Sequence, residues 1–253
     1  MSELKAEKIN AECIYRTLRP DYPSEIASFI QAHCNVDDDW QVADIGSGAG
    51  FSTKMLSQGL KRRVYAIEPD DRLRKFAEEH ENSNPFFQSV KGTAEHTNLP
   101  GNCVSLVCAF QSFHWFDKEM TRKEFRRILR TPKQVLVAFS ERTMDAGGFY
   151  AAHESILSGF PEYRMAMHHN PTLNEFREFL TNNEVVSSSF FATTNVDWEC
   201  LENRFASAYY TPKRGTQEYA RSIDALRQAF ETHACNSMVE IRYEIPVYLG
   251  IMN

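Results

Sequence analysis

Apolar positions along the chain fall into two rhythms. Five short runs are almost continuously apolar: Val42-Ala43-Asp44-Ile45, Arg63-Val64-Tyr65-Ala66-Ile67, Phe86 to Val90, Val104 to Ala109 and Gln134 to Phe139. That is the pattern of parallel strands buried on both faces. Between them lie stretches with apolar residues at helical spacing, about Phe51 to Gly59, Asp71 to Glu79 and Lys118 to Arg130, the last stopped by Thr131-Pro132. Strand and helix alternate, which predicts an α/β fold with a mostly parallel sheet.

On either side of this stretch the rhythm changes. Upstream, Pro20 and Pro23 hold Ile14 to Pro23 extended, and Ser24 is placed as the cap of a helix running through His33. Downstream, Ser140 to about Thr194 reads as irregular and rich in aromatics, with a helix over Asn174 to Thr181 and a strand over about Ser187 to Asp197. Helices near Cys200 to Ala208 and Thr216 to Cys235 precede a closing strand, Val239 to Gly250. Its alternating Ile241, Tyr243, Ile245, Val247 and Leu249 mark one buried face, and Pro246 suits an edge or a bulge. No repeat, low-complexity stretch or linker divides the sequence. The expectation is one domain over 1–253 with a ligand-binding core at 35–139.

Candidate chemistry is concentrated where the first strand ends. Asp44-Ile45-Gly46-Ser47-Gly48-Ala49-Gly50 reads as a strand turning sharply into a helix, with a ligand's polar part resting on the bend. Gly46 supplies dihedrals that other residues avoid, Gly48 admits a ligand close to the backbone, and Gly50 lets the following helix pack close to the strand. A glycine bend of this kind also serves simply as a turn. The second strand ends in Glu68, 20 residues after Gly48, where nucleotide-binding sheets of this type grip a ribose diol. Phe51 stands where a dinucleotide fingerprint requires its third glycine. Asp44 would repel phosphate and suits a ligand carrying an ammonium or sulfonium cation.

Length and charge then narrow the field. At 253 residues the chain can bury roughly 70 to 75% of its surface. Its net charge is −6 and no block of five basic residues occurs, so nucleic acid is not an expected partner. The first residues lack the apolar core of a signal peptide, and no run approaches a membrane span, so no membrane partner and a cytoplasmic location are expected. Six cysteines without a C-x-x-C pair read as free thiols in a reducing compartment. The pair His168-His169 lacks a third ligand at metal spacing, so no metal is expected.

The acid-x-Gly-x-Gly-x-Gly bend, followed at this distance by a strand ending in an acid, resembles the class I S-adenosylmethionine-dependent methyltransferases. A second stretch, Gln111-Ser112-Phe113-His114-Trp115-Phe116-Asp117, resembles the small-molecule branch of that family (type 11, trans-aconitate methyltransferase-like). So does the Tyr15…Arg19-Pro20-Asp21-Tyr22-Pro23 segment. The resemblance implies a Rossmann-like sheet of seven strands, the last antiparallel, with helices on both faces and a helical lid over its carboxyl edge. It assigns Asp44, Gly46, Ser47, Gly48, Gly50, Glu68, Pro69, Ala94, Glu95 and Gln111 to S-adenosyl-L-methionine or its product S-adenosyl-L-homocysteine, with Ala94 and Glu95 against adenine. Residues 1–34 and about 140–235 would then form the lid and acceptor pocket, with Tyr15, Arg19, Tyr22, Trp115, Arg142, Phe149 and Tyr150 on the acceptor side.

By bare pattern, Trp115 and Phe116 also read as packing residues beside the sheet. His114 is the candidate general base if the acceptor loses a proton; for a carboxylate acceptor, Arg19 or Arg142 would orient it and His114 would serve packing. Methyl transfer requires no nucleophilic residue, only donor and acceptor held in line, which alone is worth about 7 to 11 kcal/mol. The implied function is methylation of a small molecule on O or N by a monomer or homodimer. A nucleotide-dependent oxidoreductase and a cofactor-binding protein without catalysis remain as alternatives.

Overall fold

The computed structural model describes residues 21–34, 37–142, 148–166, 171–181 and 184–253, with Arg142 described in its backbone only. Tyr15, Arg19, the Arg142 side chain and the His168-His169 pair lie outside the described residues. The chain forms two compact units.

The sheet unit comprises Asp21–Ser140, Asn170–Phe190 and Ile245–Asn253. Its strands β1 (Val42–Ile45), β2 (Val64–Ile67), β3 (Phe87–Val90), β4 (Val104–Phe110) and β5 (Leu129–Ala138) alternate with α1 (Glu25–His33), α2 (Phe51–Leu60), α3 (Asp71–Glu81) and α4 (Lys118–Ile128), the first helix preceding β1. Neighbours run β3-β2-β1-β4-β5, all parallel. The last strand, β8 (Met238–Ile251), adds to β5 antiparallel, Gln134 opposite Ile251 and Ala138 opposite Val247. A further strand, β7 (Val185–Asp197), pairs with β8, and the short β6 (Glu141–Arg142) lies along it at Tyr243 and Glu244. The predicted mixed α/β sheet is thus the observed one.

The four residues of β1 are buried completely at the centre of the sheet, between β2 and β4, and the register pairs Asp44 with Ala66 and Cys108, within two residues of the ends of those strands. Helix α4 buries Thr121, Glu124, Phe125 and Ile128, an i, i+3, i+4, i+7 stripe on the sheet. Phe125 meets Phe179 of α7 (Leu173–Phe179) at 5.9 Å between centroids.

Three local expectations are corrected. Helix α4 stops at Ile128, not Arg130, because Leu129 turns extended and is buried opposite Val104, so the strand begins there and Pro132 lies inside it. Ser24 does not cap α1: its backbone is already helical and its hydroxyl donates to Glu25. Gly50 is pressed by Ala77 of α3, whose Cβ would stand 3.1 Å from an added Cβ, so the close neighbour is a helix and not the strand.

The aromatic unit, whose described part falls within Glu141–His169 and Phe191–Glu244, is not irregular as expected. It contains α5 (Phe149–Leu157), α6 (Pro161–Ala166), α8 (Trp198–Ser207) and α9 (Gln217–His233). Phe149, Leu157, Tyr163, Phe205, Leu226 and Phe230 share its core with Ile241 and Tyr243 of β8. Cys34, Cys103, Cys108 and Cys235 are free thiols, whereas Cys200, in the first turn of α8, is disulfide-bonded, which corrects the expectation for that residue. Cysteine spacing in the sequence carries no record of this pairing.

Candidate cofactor site

The site is built from the bottom of β1 upward. Asp44 is fully buried, and its Oδ2 accepts hydrogen bonds from Ser52 at 2.7 Å and Thr53 at 2.6 Å, both in the first turn of α2. Burial pushes the Asp44 carboxyl up to about 6, against the lowering effect of the two hydroxyls and with a small further push from Glu68. Its other oxygen, Oδ1, and the buried Ser47 hydroxyl have no hydrogen-bond partner among the described residues. A buried polar atom left unpaired costs about 1 to 3 kcal/mol, so these two atoms fit a bound polar or cationic group at the bend.

The bend itself needs glycine at two places for different reasons. Gly46 has φ +69°, and a Cβ there would meet the Ser112 Cβ at 2.6 Å. Ser112 earns that closeness by donating its hydroxyl to the Ile45 carbonyl at 2.6 Å, which ties the end of β4 to the end of β1. Gly48 has φ +57°, but nothing lies within 4 Å of where its Cβ would be, so the backbone there is open to a ligand.

Glu68 closes the bend. It is 6% exposed, its Oε2 accepts the Gly48 N–H at 2.8 Å, and its Oε1 accepts the Asp70 N–H at 2.9 Å. A carboxylate offers about four acceptor sites, so capacity remains for a diol beside these two bonds. Pro69 is exposed next to it. The acid predicted for the tip of the second strand therefore touches the glycine bend.

Elsewhere in the sheet unit the predicted residues divide. Gln111 has φ +56°, donates its side-chain amide to the Ser140 carbonyl at 3.1 Å and its N–H to Ala138 at 2.9 Å, which anchors the exit of β4. Phe113-His114-Trp115 form one 3₁₀ turn. Phe113 is buried and Phe116 packs against the core, but Trp115 is 80% exposed, so its reading as a packing residue is corrected; it stands beside the His114 ring at 4.9 Å. Tyr22 is buried edge-on against Phe110, the last residue of β4, at 4.8 Å. Ala94 is buried, and Glu95 accepts the Asp117 N–H at 3.0 Å. Partial burial would raise the Glu95 carboxyl, yet that bond, with others from its own N–H and Thr93, holds it below the usual range.

Phe149 and Tyr150 belong to the aromatic unit, Phe149 in its core and Tyr150 donating its hydroxyl to Glu154 at 2.9 Å. Sequence reasoning missed Ser52, Thr53 and Ser112. The signal for the first pair was present: two adjacent hydroxyl residues in the turn of helix that follows an acid-bearing strand.

Residues 43–137 match the family model described as a methyltransferase domain. That segment belongs to the methyltransferase domain family. A provisionally assigned methyltransferase of Dictyostelium discoideum is 31% identical over 123 residues, 49% of this chain and 44% of that protein. The chain therefore spans less than half the length of the first curated relatives it matches. An uncharacterised methyltransferase of Mycobacterium bovis is 24% identical over 221 residues, 87% of this chain and 83% of its own. A solved structure of a provisionally assigned type II methyltransferase from Anaeromyxobacter dehalogenans aligns with TM-score 0.68 at 19% identity, covering 92% of this chain and 97% of the other. The chain thus shares the Rossmann-like fold of that structure, and the segment matched by the family model runs from the second residue of β1 to the penultimate residue of β5.

Among the described residues, no group of three metal-ligating side chains occurs and no helix is long and apolar enough to cross a membrane.

Proposed function

We propose that the protein transfers the methyl group of S-adenosyl-L-methionine to the O or N atom of a small molecule. The observation that carries this reading is the Glu68 carboxylate on the Gly48 N–H, 2.8 Å apart, within a segment of methyltransferase sequence. Glu68 takes the ribose diol, with Pro69 beside it. The open backbone at Gly48, with Gly46 and Gly50 shaping the bend, receives the amino-acid portion. Asp44 Oδ1 and the Ser47 hydroxyl offer a buried negative and a polar partner to its ammonium. Ala94 lies on the base side, next to Glu95, whose carboxylate is engaged by the Asp117 N–H rather than by the base, and Gln111 holds the rim.

When bound, this cofactor supplies a methyl group on a sulfonium centre. The protein's work is then to orient and to exclude water, and no residue has to act as a nucleophile. His114, half-buried in the turn after β4, takes the proton of a hydroxyl or ammonium acceptor, and Trp115 and Tyr22 serve the acceptor side.

Calorimetric titration tests the reading. Heat of binding is expected with S-adenosylhomocysteine and none with NAD, and Glu68→Ala should weaken the binding at least about tenfold, the loss of roughly one charge-assisted hydrogen bond. Equal affinity in Glu68→Ala would remove the ribose assignment, and no heat with the wild type would remove the function.

A further inference from the structure

The loop after β3 and the turn after β4 are both fastened to the same helix. Glu95 Oε1 accepts the Asp117 N–H at 3.0 Å, and Asp117 in turn caps α4 by accepting from Glu119 at 3.0 Å and Met120 at 2.9 Å. Further along α4, Glu124 Oε1 accepts both the N–H and the hydroxyl of Thr97, the first at 2.9 Å. Arg127 donates to both Glu124 oxygens at 2.7 Å and to the Leu99 carbonyl at 2.7 Å. The loop of residues 93–99 is thereby pinned at two places on one helix.

The turn is pinned from the other side. Lys118, the first residue of α4, donates its ammonium to the Phe113 and Phe116 carbonyls, and the ammonium lies 4.2 Å from the centre of the Phe113 ring. These are hydrogen bonds to charged groups, the stronger class, and the Glu95 bond adds a negative charge at a helix N-terminus, where it is favoured. The Glu95 end of the loop and the turn carrying His114 and Trp115 are therefore joined at the N-terminus of α4, while Thr97 and Leu99 are held farther along the same helix.

We infer that Glu95 is a positioning residue: a strut that fixes the His114–Trp115 turn through the N-terminus of α4, so that a base seated on Ala94 orders the acceptor side. Its carboxylate is engaged with Asp117 and is not needed as a direct contact to the base. The part concerning the base rests on the cofactor reading proposed above; the strut itself does not.

Amide hydrogen exchange over residues 111–118, with and without S-adenosylhomocysteine, tests this alongside calorimetry of the same ligand. Without ligand, Glu95→Ala is expected to speed exchange of the turn by about fivefold or more, through a lost local constraint. Glu95→Gln should stay near the wild type, because its amide oxygen still accepts the Asp117 N–H. Both variants should keep an S-adenosylhomocysteine affinity within about threefold of the wild type, and the ligand should slow turn exchange in the wild type and in Glu95→Gln but not in Glu95→Ala. Unchanged exchange in ligand-free Glu95→Ala overturns the strut. So does a tenfold loss of affinity, on the order of 1.4 kcal/mol, with the turn undisturbed, which would make Glu95 a direct contact. A wild type that binds no S-adenosylhomocysteine would sink the cofactor reading, and the ligand-free comparison would still decide the strut.

Discussion

Asp44 is a carboxyl that the fold holds at a cost. With its pKa raised from 3.8 to about 6, the folded protein binds its proton more tightly than the unfolded chain does, so stability from this group is complete below about pH 4 and is lost as pH rises through about 6. A shift of that size corresponds to a penalty on the order of 3 kcal/mol at neutral pH. Asp44→Asn should therefore melt higher than the wild type at pH 7.5, with the gain fading toward pH 4, while S-adenosylhomocysteine binds it more weakly. A scanning-fluorimetry series across that range checks the first sign and calorimetry the second; a variant less stable at pH 7.5 would show that the Ser52 and Thr53 bonds outweigh desolvation. For His114, replacement by Ala should lower turnover by at least about tenfold once an acceptor is found, with cofactor affinity unchanged. Unaltered turnover would leave the imidazole a packing role beside Trp115.

At the scale of elements, close helix packing governs more than helix propensity does. Gly59 lies near the end of α2, and a Cβ there would stand 2.4 Å from the Ala27 Cβ of α1. In an open helix, Gly→Ala gains up to about 1 kcal/mol. Here Gly59→Ala should instead lower the melting temperature, and adding Ala27→Gly should restore it, a double-mutant cycle that thermal unfolding can read. The elements from Val42 to Phe110 are legible in the sequence because β1, β2 and β4 are mostly buried and so announce themselves as apolar runs, while the edge strand β3 is only partly buried. Where tertiary partners decide, the pattern is silent. Leu129 and Arg130 carry a helical period, yet the pairing of Leu129 with Val104 draws them into a strand. Gly148, Gly159 and Pro161 look like breakers, and they bound the two helices α5 and α6 in a stretch whose residue pattern alone read as irregular and aromatic. At the site, the bend and Glu68 are visible because they are defined by spacing. Ser112 is not, since its bond to Ile45 joins residues 67 apart.

For the whole molecule, ligand binding should be visible as stability. At a concentration one hundred times Kd, S-adenosylhomocysteine adds about 2.7 kcal/mol, which for a chain of this length raises the melting temperature by roughly 5 to 11 °C, whereas NAD should leave it unmoved. A thermal-shift titration that finds the two nucleotides equivalent would contradict the cofactor assignment.

The path of the backbone has a practical outcome. The sheet unit is assembled from three separate stretches, and both β7 and β8 start in one unit and finish in the other. A gene cut at any single point within these strands yields no self-sufficient half, so grafting a new acceptor specificity onto this scaffold calls for two coordinated splices, each matched to the strand pairing it interrupts.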